Sequence, residues 1–171
     1  MLRARLALND CAVALQWLED DTEEVSFRIH WVGLCALLRA VGHVLHKVDR
    51  DVSTAHRRVI EAHWKAWSTG REQHRVFWAF IEAERNNVLK QYELGYQEGD
   101  VPFTIPGEVD AEVHILPGAI FKPMLSGPFA GEDARDVARD AIKWWHIVLD
   151  EIEKELAPNF RLNPSGVPPA G

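Results

Sequence analysis

Apolar residues recur at alternating steps of four and three positions between residues 27 and 48. This spacing places them on one side of an α-helix and is typical of a packed helical seam. The polar side of this helix is narrow, so we expect the helix to lie at the centre of the fold, with Thr22 as its N-cap. The seam consists of Phe27, Trp31, Leu34, Leu38, Val41, Leu45 and Val48, and the polar side of Arg28, Arg39, His43 and His46.

Similar patterns predict helices on both sides of this one. A first helix is expected from residue 9 or 10 to residue 18, and a third from its N-cap Ser53 to Gly70. A fourth begins near Arg71 and ends around Gly95. A last helix starts near residue 132, where acidic side chains favour a helix N-terminus. Its predicted inner face is Ala134, Val137, Ala141, Trp145, Val148, Ile152 and Leu156.

Between the fourth and last helices the periodicity changes from helical spacing to alternation. Two runs of alternating apolar residues flank Pro106 and Gly107, which predicts a short β-hairpin. The first run is Val101, Phe103 and Ile105, and the second is Val109, Ala111, Val113 and Ile115. The sequence therefore predicts an all-α fold, a four- or five-helix bundle with a short β-hairpin insertion before the last helix. One domain is expected over residues 1–160, with the insertion at 99–130 and a disordered tail at 161–171.

Composition narrows the class of protein. A chain of 171 residues with 47% hydrophobic residues is long and apolar enough for one packed domain. Its net charge of −7 argues against broad electrostatic binding to nucleic acid, although a local basic site remains compatible with it. No run approaches the roughly 20 consecutive apolar residues of a membrane span, so we expect no membrane partner. Cys11 and Cys35 lie in helical apolar patterns and are expected to be buried thiols of a cytoplasmic protein without a cofactor.

Residues 85–92, RNNVLKQY, carry the most specific local pattern. This stretch resembles the Arg-X4-His-X-Tyr signature of HEPN domains, which are small all-helical modules usually found as homodimers. Arg85 matches the arginine, Asn86 the polar residue that commonly follows it, and Tyr92 the tyrosine. Lys90 stands at the histidine position.

The resemblance implies RNA as the ligand and a homodimer around one cleft. In the chemistry of that family the ribose 2′-hydroxyl attacks the adjacent phosphate, an arginine holds the phosphate, and the histidine moves protons. Lysine has a reference pKa of about 10.4, against about 6.5 for histidine, so it is a poor proton shuttle near neutral pH. The resemblance therefore implies an altered or non-catalytic HEPN-like domain. Arg85, Lys90 and Tyr92 would stand at the catalytic positions, and Arg85 and Asn86 would bind substrate. Such proteins act in toxin–antitoxin or phage-defence settings.

Helix geometry predicts which of these residues lie on the same side of the helix. On a regular helix Arg85 and Tyr92 are about 20° apart in projection, whereas Arg85 and Lys90 are roughly 140° apart. Arg85 and Tyr92 are thus expected to share a cleft, which Lys90 joins only through an irregular helix or a second subunit. A simpler interpretation is that these side chains form ordinary helix-surface pairs, with Glu82 close to Arg85 and Asn86.

Two further interpretations stay open. The chain could be a non-enzymatic binding or assembly protein, whose insertion at residues 99–128 contacts a partner protein. It could also be a metal-binding bundle that uses His43, His46 and Asp49, with a further ligand from His74 or Glu84. The sequence has no paired Glu-X-X-His motif of the kind that builds such bundles, so the sequence assigns no metal ligand.

Two further histidines and a pair of adjacent tryptophans are expected to pack within the fold. His56 and His63 share a helix face with Ile60 and are about 10 Å apart along the axis, too far to bind one ion together. Neighbours on a helix diverge by about 100°, so Trp144 and Trp145 cannot point the same way. One of them is expected to pack against the hairpin insertion or another subunit.

Overall fold

The computed structural model describes residues 1–105 and 112–160, except for the side chains of the last three. In this described part of the chain, five α-helices form a bundle, and a two-stranded hairpin precedes the last helix, which confirms the predicted all-α fold with a hairpin insertion. The helices are α1 (Ala4–Asp20), α2 (Glu24–Lys47), α3 (Thr54–Thr69), α4 (Ala83–Gln91) and α5 (Ala134–Phe160). The predicted tail at 161–171 lies outside the described residues.

Helix α2 is the centre of the bundle, as its seam predicts. It packs against α1, α4 and α5, and each seam residue from Phe27 to Leu45 is at most 1% exposed. Only the last predicted seam position, Val48, is exposed, because α2 ends one residue earlier at Lys47. All seven predicted inner positions of α5 are buried as well.

The predicted starts of α1 and α2 were wrong, and both corrections involve a carboxylate. Helix α1 begins at Ala4 because Asp49, distant in sequence, accepts the backbone N–H groups of Arg3 (2.7 Å) and Ala4 (2.9 Å). These N–H groups have no partner inside the helix, so a carboxylate at this end stabilises it. Helix α2 begins after Glu23, whose N–H is bound by the Asp21 side chain (3.2 Å), and Thr22 is not its cap.

The predicted fourth helix is divided into two kinds of helix. A turn occupies the expected start near Arg71, and a π-helical segment follows at Val76–Glu82 and leads directly into α4. Helix α4 ends at Gln91 because Tyr92 has a left-handed backbone conformation (φ 56°). The N–H of Tyr92 still caps the helix by donating to the Val88 carbonyl (3.2 Å).

Most tryptophans build one aromatic cluster between α3, the π-helical segment and α5. Trp145 is fully buried and donates its Nε1–H to the Leu38 carbonyl of α2 (3.0 Å). Trp144 is half-buried and packs on Trp67 and Phe77, with ring centroids 5.4 and 5.5 Å away. Both rings therefore belong to this cluster and not to the described strands of the hairpin, while the alternative contact with another subunit stays a prediction.

The hairpin consists of strands β1 (Val101–Phe103) and β2 (His114–Leu116). They pair antiparallel, with Val101 opposite Leu116, Pro102 opposite Ile115 and Phe103 opposite His114. The strands are shorter than predicted, and the expected turn at Pro106 and Gly107 lies outside the described residues, as do Val109 and Ala111. After β2 the chain returns to the bundle through bridges that join Tyr96 to Met124 and Pro123 to Asp133.

The helical stretch Glu24–Val52 is long and apolar enough to cross a membrane by length and composition, since it contains an 18-residue window with a mean hydropathy of 1.3. Its average hydropathy is high although Arg28 and Arg39 interrupt the apolar runs. A count of consecutive apolar residues therefore overlooks this stretch. In the folded chain 39% of this window is buried. The central helix of a packed core meets the same criterion, so the observation is weak evidence for a membrane span.

Candidate functional site

Arg85 lies in an open groove of about 330 Å³ between α2 and α4. Helix α2 supplies residues at positions 36, 39, 40, 43 and 44, which share one helix face because they are three or four residues apart. Helix α4 supplies Arg85 and Leu89, also four residues apart. The groove is lined by Ala36, Arg39, Ala40, His43, Val44, Arg85 and Leu89.

The groove combines nitrogen-bearing side chains with an apolar lining. Two guanidinium groups and one imidazole line it together with small or aliphatic side chains, and none of the lining residues is acidic. Arg85 donates from Nη1 to the neutral amide oxygen of Asn86 (2.9 Å), and the Arg39 guanidinium lies 5.9 Å from the centroid of the Phe77 ring. Within the described residues neither arginine forms an ion pair. Both therefore keep donors available for an anion.

The residues matched to the HEPN signature do not all reach this groove. Asn86 does not line the groove and is connected to it by its hydrogen bond with Arg85. Lys90 is exposed and does not line the groove either. Tyr92 is 63% exposed and lines a different groove, next to Arg28 and Glu98. The regular-helix projection fails at Tyr92 because its left-handed backbone turns the chain away from the helix axis.

Sequence reasoning missed Arg39 and His43 as members of the site. Their signal was present, since both lie on the narrow polar side of α2, three to four residues from small alanines. Nothing in the sequence, however, indicated that this side of α2 would be adjacent to Arg85.

Glu84, next to Arg85 in sequence, is buried in the core. Its Oε1 accepts the indole N–H of Trp31 (2.9 Å) and the backbone N–H of Gly95 (2.8 Å). Burial raises the pKa of this carboxyl above its ordinary value, although the two hydrogen bonds act in the opposite direction. Glu84 thereby joins α4 to α2 and to the chain that follows Tyr92, which holds the α4 side of the groove in place.

The described residues do not assemble the metal site considered for His43, His46 and Asp49. No group of three or more His, Cys, Asp or Glu side chains in the described part of the chain is placed to hold an ion. Asp49 is 3% exposed and uses both carboxylate oxygens to cap α1. His46 packs on Trp64 with ring centroids 5.9 Å apart, and burial, together with nearby Arg50 and Lys47, lowers its pKa.

His56 and His63 each have one polar side-chain partner, as packing predicts. His56 contacts the Ser53 hydroxyl (2.8 Å), and His63 contacts Glu155 (2.9 Å) while its ring packs on Trp67. Both hydrogen bonds lie at the surface of α3.

No protein-family model, curated protein or solved structure matches the chain.

Proposed function

We propose that this chain is a HEPN-like protein that binds the phosphate backbone of RNA in the groove between α2 and α4. The observation that carries the proposal is the convergence of Arg39, His43 and Arg85 in a groove whose lining residues include no carboxylate. Guanidinium groups match the geometry of phosphate oxygens and form the stronger, charge-assisted hydrogen bonds. The HEPN resemblance adds RNA as the ligand, and the groove itself is formed within one protomer.

The apolar part of the groove favours a nucleic acid over a free anion. Ala36, Ala40, Val44 and Leu89 offer surface on which a ribose or the face of a base can lie while the arginines hold a phosphate. The net charge of −7 gives no long-range attraction, so affinity must come from this local site. We therefore expect a shallow salt dependence. With two phosphates neutralised, log K should change with log salt with a slope of about −1.4.

We propose that the groove binds RNA, and we do not propose that it cleaves RNA. Lys90, at the signature's histidine position, is exposed and is not among the lining residues of the groove. Catalysis through Lys90 therefore has no geometric support within one protomer.

The test is fluorescence polarisation of a labelled short single-stranded RNA, titrated with the full chain at low salt. Arg39→Ala and Arg85→Ala should each weaken binding about tenfold or more, since hydrogen bonds to charged groups contribute about 1.5–3 kcal/mol. Ala40→Glu keeps both arginines but adds a carboxylate to the groove, and it should abolish binding.

Two matched variants serve as controls. Arg58→Ala removes an exposed arginine of α3 that does not line the groove, so it should bind RNA like the wild type. Lys90→Ala tests whether binding depends on the groove or on the linear motif, because only the motif includes this lysine. It should bind RNA like the wild type. Wild-type affinity for both arginine variants, or no RNA binding by the wild type at low salt, would contradict the proposal.

A further inference from the structure

The hairpin of β1 and β2 exposes apolar side chains beyond what its own pairing buries. Phe103 is 44% exposed, Val113 61% and Ile115 63%. A two-stranded hairpin is marginal in water by itself and is usually completed by further strands or by packing. The question is which edge of this sheet is open to a further strand.

Pro102 decides how the two strands hydrogen-bond. In an antiparallel ladder, directly opposed residues alternate between pairs that exchange both N–H···O bonds and pairs that exchange none. Pro102 has no N–H, so the pair Pro102–Ile115 must be of the second kind. The N–H and C=O groups of Ile115 therefore point away from β1, toward the outer edge of β2. In extended chain this orientation repeats every second residue, so Val113 faces the same edge.

The two edges of the sheet differ in protection. The outer edge of β1 is blocked at its centre, because the outward position there belongs to Pro102, which cannot donate. The outer edge of β2 has no such device, since residues 113–116 contain no proline, lysine or carboxylate. No backbone hydrogen bond from Val113 or Ile115 to chain outside the hairpin occurs among the described residues. Within the described part of the chain, the edge of β2 is open.

We infer that β2 pairs with β2 of a second copy of this chain, antiparallel across a two-fold axis at His114, to form a four-stranded sheet. In this register Val113 and Ile115 of one copy lie opposite Ile115 and Val113 of the other. The outward N–H and C=O groups of all four residues are then paired, and the exposed side chains of Ile115 in β2 and of Val113, which directly precedes β2, meet. An edge that is its own complement in this way is suited to a closed, isologous dimer.

Charge does not oppose a second copy at this register. The nearest carboxylate to the strand is Glu112. Its counterpart in the second copy lies four residues away along the paired strands, about 13 Å at the usual rise per residue. That separation exceeds the Debye length of about 8 Å at physiological salt, so the two glutamates do not oppose pairing. This inference does not depend on the proposed RNA binding.

The first test is the molar mass of the full chain by light scattering over a range of concentrations. We expect the wild type to be a dimer that dissociates on dilution. Val113→Lys and Ile115→Lys place a charge in the paired edge and should give monomers. Ile120→Lys is the matched control, because Ile120 is 65% exposed but lies outside the strands, and it should dimerise like the wild type. Far-UV circular dichroism checks that each variant keeps its helices.

The second test fixes the register. His114→Cys places two thiols in a pair of the non-hydrogen-bonded kind, where Cα atoms are about 4.5 Å apart and a disulfide can form. Oxidation should then give a covalent dimer on a non-reducing gel. Ile120→Cys should not, and Cys11 and Cys35 are buried and should not react. A wild type that stays monomeric at a concentration on the order of 100 μM, far above a micromolar Kd, would overturn the inference. So would a dimer that both lysine variants leave intact, or a dimeric His114→Cys variant that does not cross-link.

Discussion

Glu84 shows what a single polar residue does in this core. It is 4% exposed, and its carboxylate binds N–H groups of α2 and of the chain after α4. Gly95 is required beside it, because a Cβ at this position would lie 2.1 Å from Glu84 Oε2. The carboxyl and the glycine therefore form one close contact that attaches the chain after α4 to the bundle.

Replacing Glu84 separates its hydrogen bonds from its charge. Glu84→Ala leaves the Trp31 and Gly95 N–H groups buried without partners, so the free energy of unfolding should fall by about 2–4 kcal/mol. Glu84→Gln keeps an acceptor but cannot ionise. Because the folded state raises the pKa of Glu84, ionisation destabilises the wild type as pH rises from the ordinary glutamate range, about 4.3, through the folded value.

Urea denaturation at a series of pH values measures this effect. The stability of Glu84→Gln relative to the wild type should increase as pH rises from acid to neutral. Glu93→Gln, an exposed carboxylate nearby, controls for the loss of one negative charge. A constant difference between Glu84→Gln and the wild type across the pH range would show that the raised pKa is wrong.

At the scale of the element, the two glycines of α2 have opposite surroundings in the same helix. A Cβ at Gly33 would meet nothing within 4 Å, whereas a Cβ at Gly42 would lie 3.0 Å from the Trp145 ring. Gly42 therefore allows α5 to approach α2, while Gly33 is a helix position without a packing requirement.

Substitutions at these two positions should change stability in opposite directions. Gly33→Ala should raise the free energy of unfolding by about 0.5–1 kcal/mol, because alanine loses less backbone freedom in a helix. Gly42→Val should lower it by about 1–3 kcal/mol, since Trp145 must move from its contact with α2. Thermal and urea unfolding measure both. Equal effects of the two variants would mean that α5 does not depend on this close approach.

At the scale of the whole molecule, the hairpin is an appendage whose two ends meet. A Cβ at Gly118 would lie 2.3 Å from the Gly99 carbonyl oxygen, so the chain leaves and re-enters the bundle at nearly one point. The Asp100 carboxylate secures this junction by accepting the Gly118 N–H (3.0 Å). The loop that follows is held separately, through the buried Lys122 and its ion pair with Glu24 (2.7 Å).

Deleting residues 100–117 and joining Gly99 to Gly118 should therefore leave the helical bundle intact. We expect a change in Tm of no more than about 4 °C, unchanged affinity for RNA, and loss of the dimer. Calorimetry, polarisation and light scattering measure these three properties on one protein. Loss of the helical circular dichroism signal would show instead that the hairpin supports the core.

The sequence by itself determined that the chain folds as a helical bundle with a hairpin, and which faces of α2 and α5 are buried. The seam of α2 and the inner face of α5 follow from spacing alone, because a helix repeats every 3.6 residues and its apolar side must leave water. Only the tertiary structure decided which polar side chains meet. Asp49 reaches the start of α1, and Arg39 and His43 join Arg85, while one left-handed residue removes Tyr92 from that groove. Such meetings depend on how neighbouring helices are rotated and spaced, which the packing of the whole core sets and no local pattern records.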